Sequence, residues 1–219
     1  MQKSLIIFDQ VIESEINMSG KLLVVSGPSG TGKSLITQRL AQDEKYDLSI
    51  SMTTRAPRTG EVDGVSYYFV SQEVYDKTVA EDGFLEHASI YGNCYGTPKA
   101  PVLEKLSQGH NVILEIEMQG AMQAKAAYPE AMLVFVLPPS MAELRRRLRG
   151  RGTESEAQVN IRLAKSLSEI RLLTEYDYYI VNDDLDDAVE ELRAIAELKK
   201  APLTKDKAEQ IIRKYEEEK

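Results

Sequence analysis

The chain has 219 residues, of which 42% are hydrophobic and 28% charged, with a formal net charge of −8. Those values fit one large globular domain, or a core domain with insertions, rather than a disordered or membrane chain. They also argue against a surface that grips nucleic acid along its whole face, so any anion binding must be local.

The first residues, "MQKSLIIFDQVIESEINMSG", carry one lysine, four consecutive apolar residues and then acids, which is not the pattern of a secretory signal. We treat 1–19 as an N-terminal extension, with Met1 or Met18 as the start. The longest apolar runs stop well short of the roughly 18 residues of a membrane span. A single cysteine, Cys94, excludes an internal disulfide framework and suits a reducing, cytoplasmic compartment. Next to two histidines, His87 and His110, it cannot build a structural zinc site. Cys94 itself reads as an ordinary loop residue.

From residue 21 onward, β-branched apolar runs alternate with helical patterns. "KLLVVS" (21–26) predicts a buried strand and "GKSLITQRLAQD" (32–43) the helix it feeds. "NVILEIEM" (111–118) and "MLVFVLPP" (132–139) predict further strands, followed by the amphipathic stretches "QGAMQAKAAY" and "SMAELRRRLRG". "YYIVNDD" (178–184) is a last strand before "LDDAVEELRAIAELKK". This alternation predicts an α/β fold, a parallel sheet with helices on both faces. Residues 48–97 break the rhythm with short strands such as "VSYYFV" and "FLEHASI" and a brief helix near "SQEVYDKTVA", which predicts a small, partly antiparallel insertion. "RGRGTESEAQ" (149–158) is glycine-broken and basic, as a mobile flap would be, and a helix resumes at "VNIRLAKSLSEI". The charged tail reads as a docked or partly frayed terminal helix.

"GPSGTGKS", Gly27-Pro28-Ser29-Gly30-Thr31-Gly32-Lys33-Ser34, matches G-x-x-x-x-G-K-[ST] between a predicted strand and a predicted helix. Glycines let backbone N–H groups turn inward around phosphate oxygens, and the helix start adds partial positive charge. Lys33 reaches the β and γ phosphates and Ser34 offers a hydroxyl to Mg²⁺. The cradle does not name a reaction, since motors, switches and kinases share it.

A second anion site lies in "TTRAPRTGEVDGVSYYF" (53–69), where Arg55 and Arg58 supply planar forks and Pro57 stiffens the turn between them. Tyr67 and Tyr95 offer phenolic donors, Glu86 an acceptor-only carboxylate and Thr97 a hydroxyl. Guanine presents N1–H and N2–H donors beside an O6 acceptor, which such a pair complements; adenine has no N1 proton to offer.

These segments, with "FLEHASIYGNCYGTP", "LEIEMQGA", "RLRGRGTESE" and "IVNDDLDDA", stand in the order and at the spacing of the guanylate kinases, which this sequence resembles from about Gly20 to Lys199. The resemblance implies a P-loop three-layer core (20–50, 98–138 and 165–199), a β-rich GMP-binding insertion (51–97) and a mobile lid (140–162), with a helical tail at 200–219. It implies ATP and GMP as substrates, Mg²⁺ as cofactor, and neither nucleic acid nor membrane as partner. Carried over by position, it assigns Arg55, Arg58, Tyr67 and Tyr95 to the GMP phosphate, Ser51, Glu86 and Thr97 to guanine, and Glu61 to a place close by. Arg151 and Arg162 match lid arginines that reach the transferring group, alongside Lys33 and Arg58, and Asn182 falls where the family contacts the ATP base.

Where the family has two aspartates, this chain has Glu115 and Glu117. Period-two alternation predicts both on one strand face, with Glu115 near the Mg²⁺ water shell and Glu117 near the guanine edge. Arg145, Arg146, Arg147 and Arg149 read as a solvated helical face, with an RNA-binding stripe as the competing reading. The implied reaction is γ-phosphoryl transfer from MgATP to GMP in purine nucleotide metabolism. A non-catalytic peptide-binding module of the same fold is the rival, against which the intact cradle argues.

Overall fold

The computed structural model describes residues 20–90, 92–150 and 155–218. The extension 1–19 and the lid residue Arg151 lie outside the described residues.

Five parallel strands form the central sheet in the order β2-β7-β1-β8-β9: β1 (Leu22–Ser26), β2 (Tyr46–Leu48), β7 (Asn111–Glu115), β8 (Met132–Leu137) and β9 (Tyr178–Val181). Every residue of β1 and β8 is buried. A parallel sheet survives only with both faces covered, and the pleat divides its side chains between two cores. Leu22, Val24, Leu114, Leu133 and Phe135 pack on one face against α3 (Lys99–Ser107), α4 (Met118–Ala127), α5 (Met141–Arg149) and α6 (Glu156–Ile170). Leu23, Val25, Ile113, Val134 and Val136 pack on the other against α1 (Lys33–Leu40) and α7 (Leu185–Ala196). Each such side chain removed from water contributes roughly 1.5–3 kcal/mol. The α/β class with helices on both faces is therefore as the alternating pattern predicted.

Between β2 and β7 the chain builds a second sheet, ordered β4-β3-β6-β5, from β3 (Met52–Thr53), β4 (Tyr68–Phe69), β5 (Phe84–Ile90) and β6 (Asn93–Pro98), with α2 (Gln72–Ala80) alongside. Its β5–β6 and β3–β6 pairs are antiparallel and β3–β4 is parallel. The predicted strand "VSYYFV" shrinks to Tyr68–Phe69, because Asp63 takes the Phe69 N–H and ties the loop back on itself.

Three local readings differ from the sequence expectation. β7 stops at Glu115, and Glu117 occupies the N-cap of α4, so the two glutamates do not share a strand face. Helix α3 has no counterpart among the predicted elements; Pro98 is its N-cap and Pro101 falls in the first turn, where the missing N–H has no intrahelical partner. Helix α6 begins at Glu156, three residues before the apolar pattern resumes, because Ser155 and Gln158 close a reciprocal capping box.

The terminal helix α8 (Lys205–Glu217) is docked. Tyr215 is 2% exposed and donates to the Pro138 carbonyl, while Glu218 accepts from the Met141 N–H at 2.8 Å. The tail thus braces the entry to α5.

Candidate active site

The phosphate loop leaves the C-terminal end of β1, the central strand, and runs into α1. Gly27 and Gly32 have φ of 144° and 91°, where a side chain is strained. Space excludes one as well: a Cβ on Gly27 would lie 2.3 Å from the Val136 carbonyl oxygen, and one on Gly32 would lie 2.3 Å from Asn182 Nδ2. Lys33 Nζ folds along the loop and donates to the Gly27 and Pro28 carbonyls at 2.6 and 3.0 Å. Thr31 Oγ1 closes the turn onto the Pro28 carbonyl at 2.9 Å.

A buried brace holds this loop from behind. Asn182, 6% exposed, donates from Nδ2 to the Thr31 carbonyl at 2.7 Å. Arg147 donates to the Asn182 carbonyl at 2.9 Å and the Thr31 carbonyl at 3.4 Å, with its Nε on Glu143 at 2.7 Å. The expectation that Arg147 lies on a solvated face is thereby corrected: α5 packs against the loop, and Glu143, at i and i+4, aims the guanidinium inward. The pairing of Glu143 with Arg146 and Arg147 holds its carboxyl down at about 2. Arg145 and Arg149 both reach Glu156 across the segment between α5 and α6.

At the mouth of the loop, Ser34 donates to Glu115 Oε1 at 2.5 Å and Thr37 to Glu115 Oε2 at 3.0 Å. A hydroxyl and a carboxylate side by side form an all-oxygen donor set of the kind Mg²⁺ takes, with waters and substrate phosphates completing its octahedron. No cluster of three or more His, Cys, Asp or Glu occurs among the described residues, and Mg²⁺ bound this way needs none.

Two cavities meet at that point. The larger, about 700 Å³, is lined by the phosphate loop, Lys33, Ser34, Glu115, Glu117 and the α6 residues Arg162, Lys165, Ser166 and Glu169. The smaller, about 280 Å³, is lined by Ser49, Ser51, Ser66, Tyr67 and Thr97 from the insertion side, and again by Ser34, Glu115 and Ile116. Lys165, Ser166 and Glu169 were not singled out in the sequence, although the i, i+3, i+4, i+7 spacing from Arg162 marks one helix face.

On the insertion, Glu61 takes both end nitrogens of Arg55 at 2.9 and 3.0 Å and also the Arg58 N–H at 2.7 Å. Its carboxyl is held below the usual range, first by the Arg55 side chain and then by the Arg58 backbone. Glu61 is therefore the arginine's orienter in this structure. The Arg55 guanidinium also lies over the rings of Tyr67 and Phe69, at 5.5 and 5.8 Å. Tyr67 and Tyr95 meet edge to face with centroids 6.1 Å apart. Arg58 is exposed.

Glu86 and Thr97 come from paired positions on β5 and β6, and the Thr97 hydroxyl donates to Glu86 Oε1 at 2.7 Å. Glu86 is 7% exposed and burial pushes its carboxyl up, with the Thr97 hydrogen bond opposing. A Cβ on Gly120 of α4 would lie 2.8 Å from Glu86 Oε2, so the start of that helix packs directly on the carboxylate. Core and insertion touch at the residue the sequence assigned to base selection.

A phosphate cradle on the central strand, inside an open parallel sheet, with a cleft that continues under an arginine-bearing insertion, defines a P-loop kinase of small nucleotides. The known relatives narrow this class. The family model described as Guanylate kinase matches residues 19–199. A guanylate kinase of Clostridioides difficile is 48% identical over 200 residues, 91% of this chain and 97% of that one. One of Thermus thermophilus is 51% identical over 178 residues, 81% of each chain. The crystal structure of guanylate kinase from Anaplasma phagocytophilum superposes with a TM-score of 0.65 at 33% identity, covering 84% of this chain and 87% of that one. This chain belongs to the guanylate kinase family and is a nucleoside monophosphate kinase.

Proposed function

We propose that this chain transfers the γ-phosphoryl group of ATP to the phosphate of GMP, giving ADP and GDP, in purine nucleotide metabolism. The observation that carries the reading is the shared wall of the two cavities. Ser34 and Glu115 border both the phosphate-loop cavity and the smaller cavity beside Ser51, Tyr67 and Thr97. A donor in the first and an acceptor in the second would bring their phosphates together at that wall.

Mg²⁺ held at Ser34 and Glu115 would supply charge neutralisation across the donor's phosphates. Lys33 and the loop N–H groups hold the β and γ phosphates, and Asn182, assigned to the ATP base, also fixes the Thr31 carbonyl from behind the loop. Arg55, aimed by Glu61, together with Arg58, Tyr67 and Tyr95, holds the GMP phosphate. Glu86 accepts from the guanine N–H groups beside Thr97, with Ser51 at the same edge; Glu117, expected at that edge, instead lines the phosphate-loop cavity. An oxygen of that phosphate, ionised at neutral pH because its second pKa is about 6, attacks the γ phosphorus. The bond to the β-bridging oxygen breaks, and no general base is needed. Arg162, and Arg151 from the lid, would spread over the transferring group, so that catalysis is alignment plus charge stabilisation. Segment 140–162 acts as the lid that excludes water, and 51–97 as the unit that closes on GMP.

No helix among the described residues is long and apolar enough to cross a membrane. A coupled assay of ADP release with GMP, AMP, UMP and CMP tests the reading. Turnover with GMP well above the other three is expected, and no turnover with GMP sinks it.

A further inference from the structure

Helix α6 turns Arg162, Lys165, Ser166 and Glu169 toward the phosphate cavity. Arg162 already has a place in the transfer reaction, and Ser166 Oγ is spent on the Arg162 carbonyl at 2.9 Å. Lys165 has no such employment. Its Nζ lies 3.4 Å from Glu169 Oε1, and the two partners differ sharply in setting: the lysine side chain is 64% exposed and the glutamate 13%. The acid is anchored in the wall and the base hangs over the cavity.

The charges around that cavity sharpen the contrast. Lys33, Arg162 and Lys165 face Glu115, Glu117 and Glu169, three cations against three carboxylates. A nucleoside triphosphate adds up to four negative charges, of which Mg²⁺ offsets two, so a filled cavity draws those three cations toward the polyphosphate. Lys33 is packed along the loop backbone. Lys165, on a flexible four-carbon stem with three donors and an ion pair near the outer limit of contact, moves at least cost. Burial pushes the Glu169 carboxyl up and Glu117 adds to that, while Lys33 stays within electrostatic reach of Glu169 when Lys165 moves.

We infer that Lys165 is a further phosphate-binding residue of the donor site, paired with Glu169 in the free enzyme and turning to the polyphosphate when a nucleoside triphosphate fills the cavity. The inference rests on the function proposed above and deepens it. Lys165 borders the phosphate-loop cavity and not the smaller one, so its effect falls on the donor and spares the acceptor.

Calorimetric titration of the full chain with MgATP and, separately, with GMP tests this. Lys165→Ala should weaken MgATP about tenfold, the loss of one charge-assisted hydrogen bond. Binding of GMP should change by less than about twofold, and Lys165→Arg should restore most of the MgATP affinity. In turnover the KM for MgATP should rise with little change in kcat, as for a contact made equally in ground and transition states. Glu169→Gln should tighten MgATP, and that gain should vanish when combined with Lys165→Ala, since the two act as one pair. Unchanged MgATP affinity in Lys165→Ala, or equal losses for MgATP and GMP, overturns the inference. Either result in a wild-type enzyme that still phosphorylates GMP leaves the proposed function standing; a wild type inert toward GMP defeats that reading instead.

Discussion

The phosphate loop and the acceptor insertion both hold a phosphate in the proposed reaction, and they are built on opposite plans. The loop is eight contiguous residues of backbone, buttressed from behind by Asn182 and Arg147, with no room for a Cβ at Gly27 or Gly32. The insertion uses side chains spread over the β3–β4 loop and strand β6, with Arg58 exposed and Arg55 steadied by Glu61 and two aromatic rings. A backbone cradle is rigid because its donors cannot rotate away. A side-chain clamp is adjustable, and it requires orienters that touch no ligand.

Substitutions should separate the two plans. The largest effect belongs to the cradle: Lys33→Ala should lower kcat by about 10²–10³, the scale for losing a preorganised stabiliser of transition-state charge. GMP binding should be nearly untouched, and comparable losses on both sides would break the division. Glu86→Ala should weaken GMP by about 10- to 100-fold, since a charged hydrogen-bond acceptor is lost, while MgATP affinity holds. Because burial raises the Glu86 carboxyl, GMP binding should fail on acidification at a higher pH than an ordinary glutamate at 4.5 would dictate. The same raised value means that ionised Glu86 costs stability as pH rises through its folded pKa. Glu86→Gln should therefore flatten both dependences, which binding and thermal melts across pH would read.

A smaller loss tests the orienter. Glu61→Gln should raise the KM for GMP about tenfold by freeing Arg55. The double variant with Arg55→Ala should then be no worse than Arg55→Ala alone. An additive loss would make Glu61 a direct contact instead. The smallest effect concerns the brace behind the cradle. Glu143, held at about 2 by Arg146 and Arg147, stabilises the fold above its ordinary 4.5 and loses that contribution as pH falls toward 2. Glu143→Gln should shrink the drop in melting temperature over that range without altering the KM for GMP.

The comparison also bears on what was legible beforehand. The cradle could be read whole, because its chemistry depends on residues adjacent in the chain and on a strand and a helix that announce themselves by periodicity. The clamp was legible as a set of residue types but not as an arrangement. Glu61 was placed near the acceptor, and only the structure gave it Arg55 as partner. Arg147 was taken for a solvated position because the sequence cannot show that α5 lies against the loop. Glu117 was put on a strand face because alternation continues past Glu115, whereas β7 ends at Glu115 and Glu117 is already the N-cap of α4. Lys165 and Glu169 carried a signal, their helical spacing from Arg162, but that spacing is common to every amphipathic helix.

From sequence alone came the α/β class and the phosphate cradle, because period, turn chemistry and contiguous motifs act over a few residues; the candidate inventory of the acceptor site came in part from the family resemblance. Tertiary structure decided which side chains border the two cavities and which hold others in place. It set Ser34 beside Glu115 across 81 residues and Asn182 under Thr31 across 151. Such pairings follow from how strands order in a sheet and helices pack on it, which no local pattern encodes.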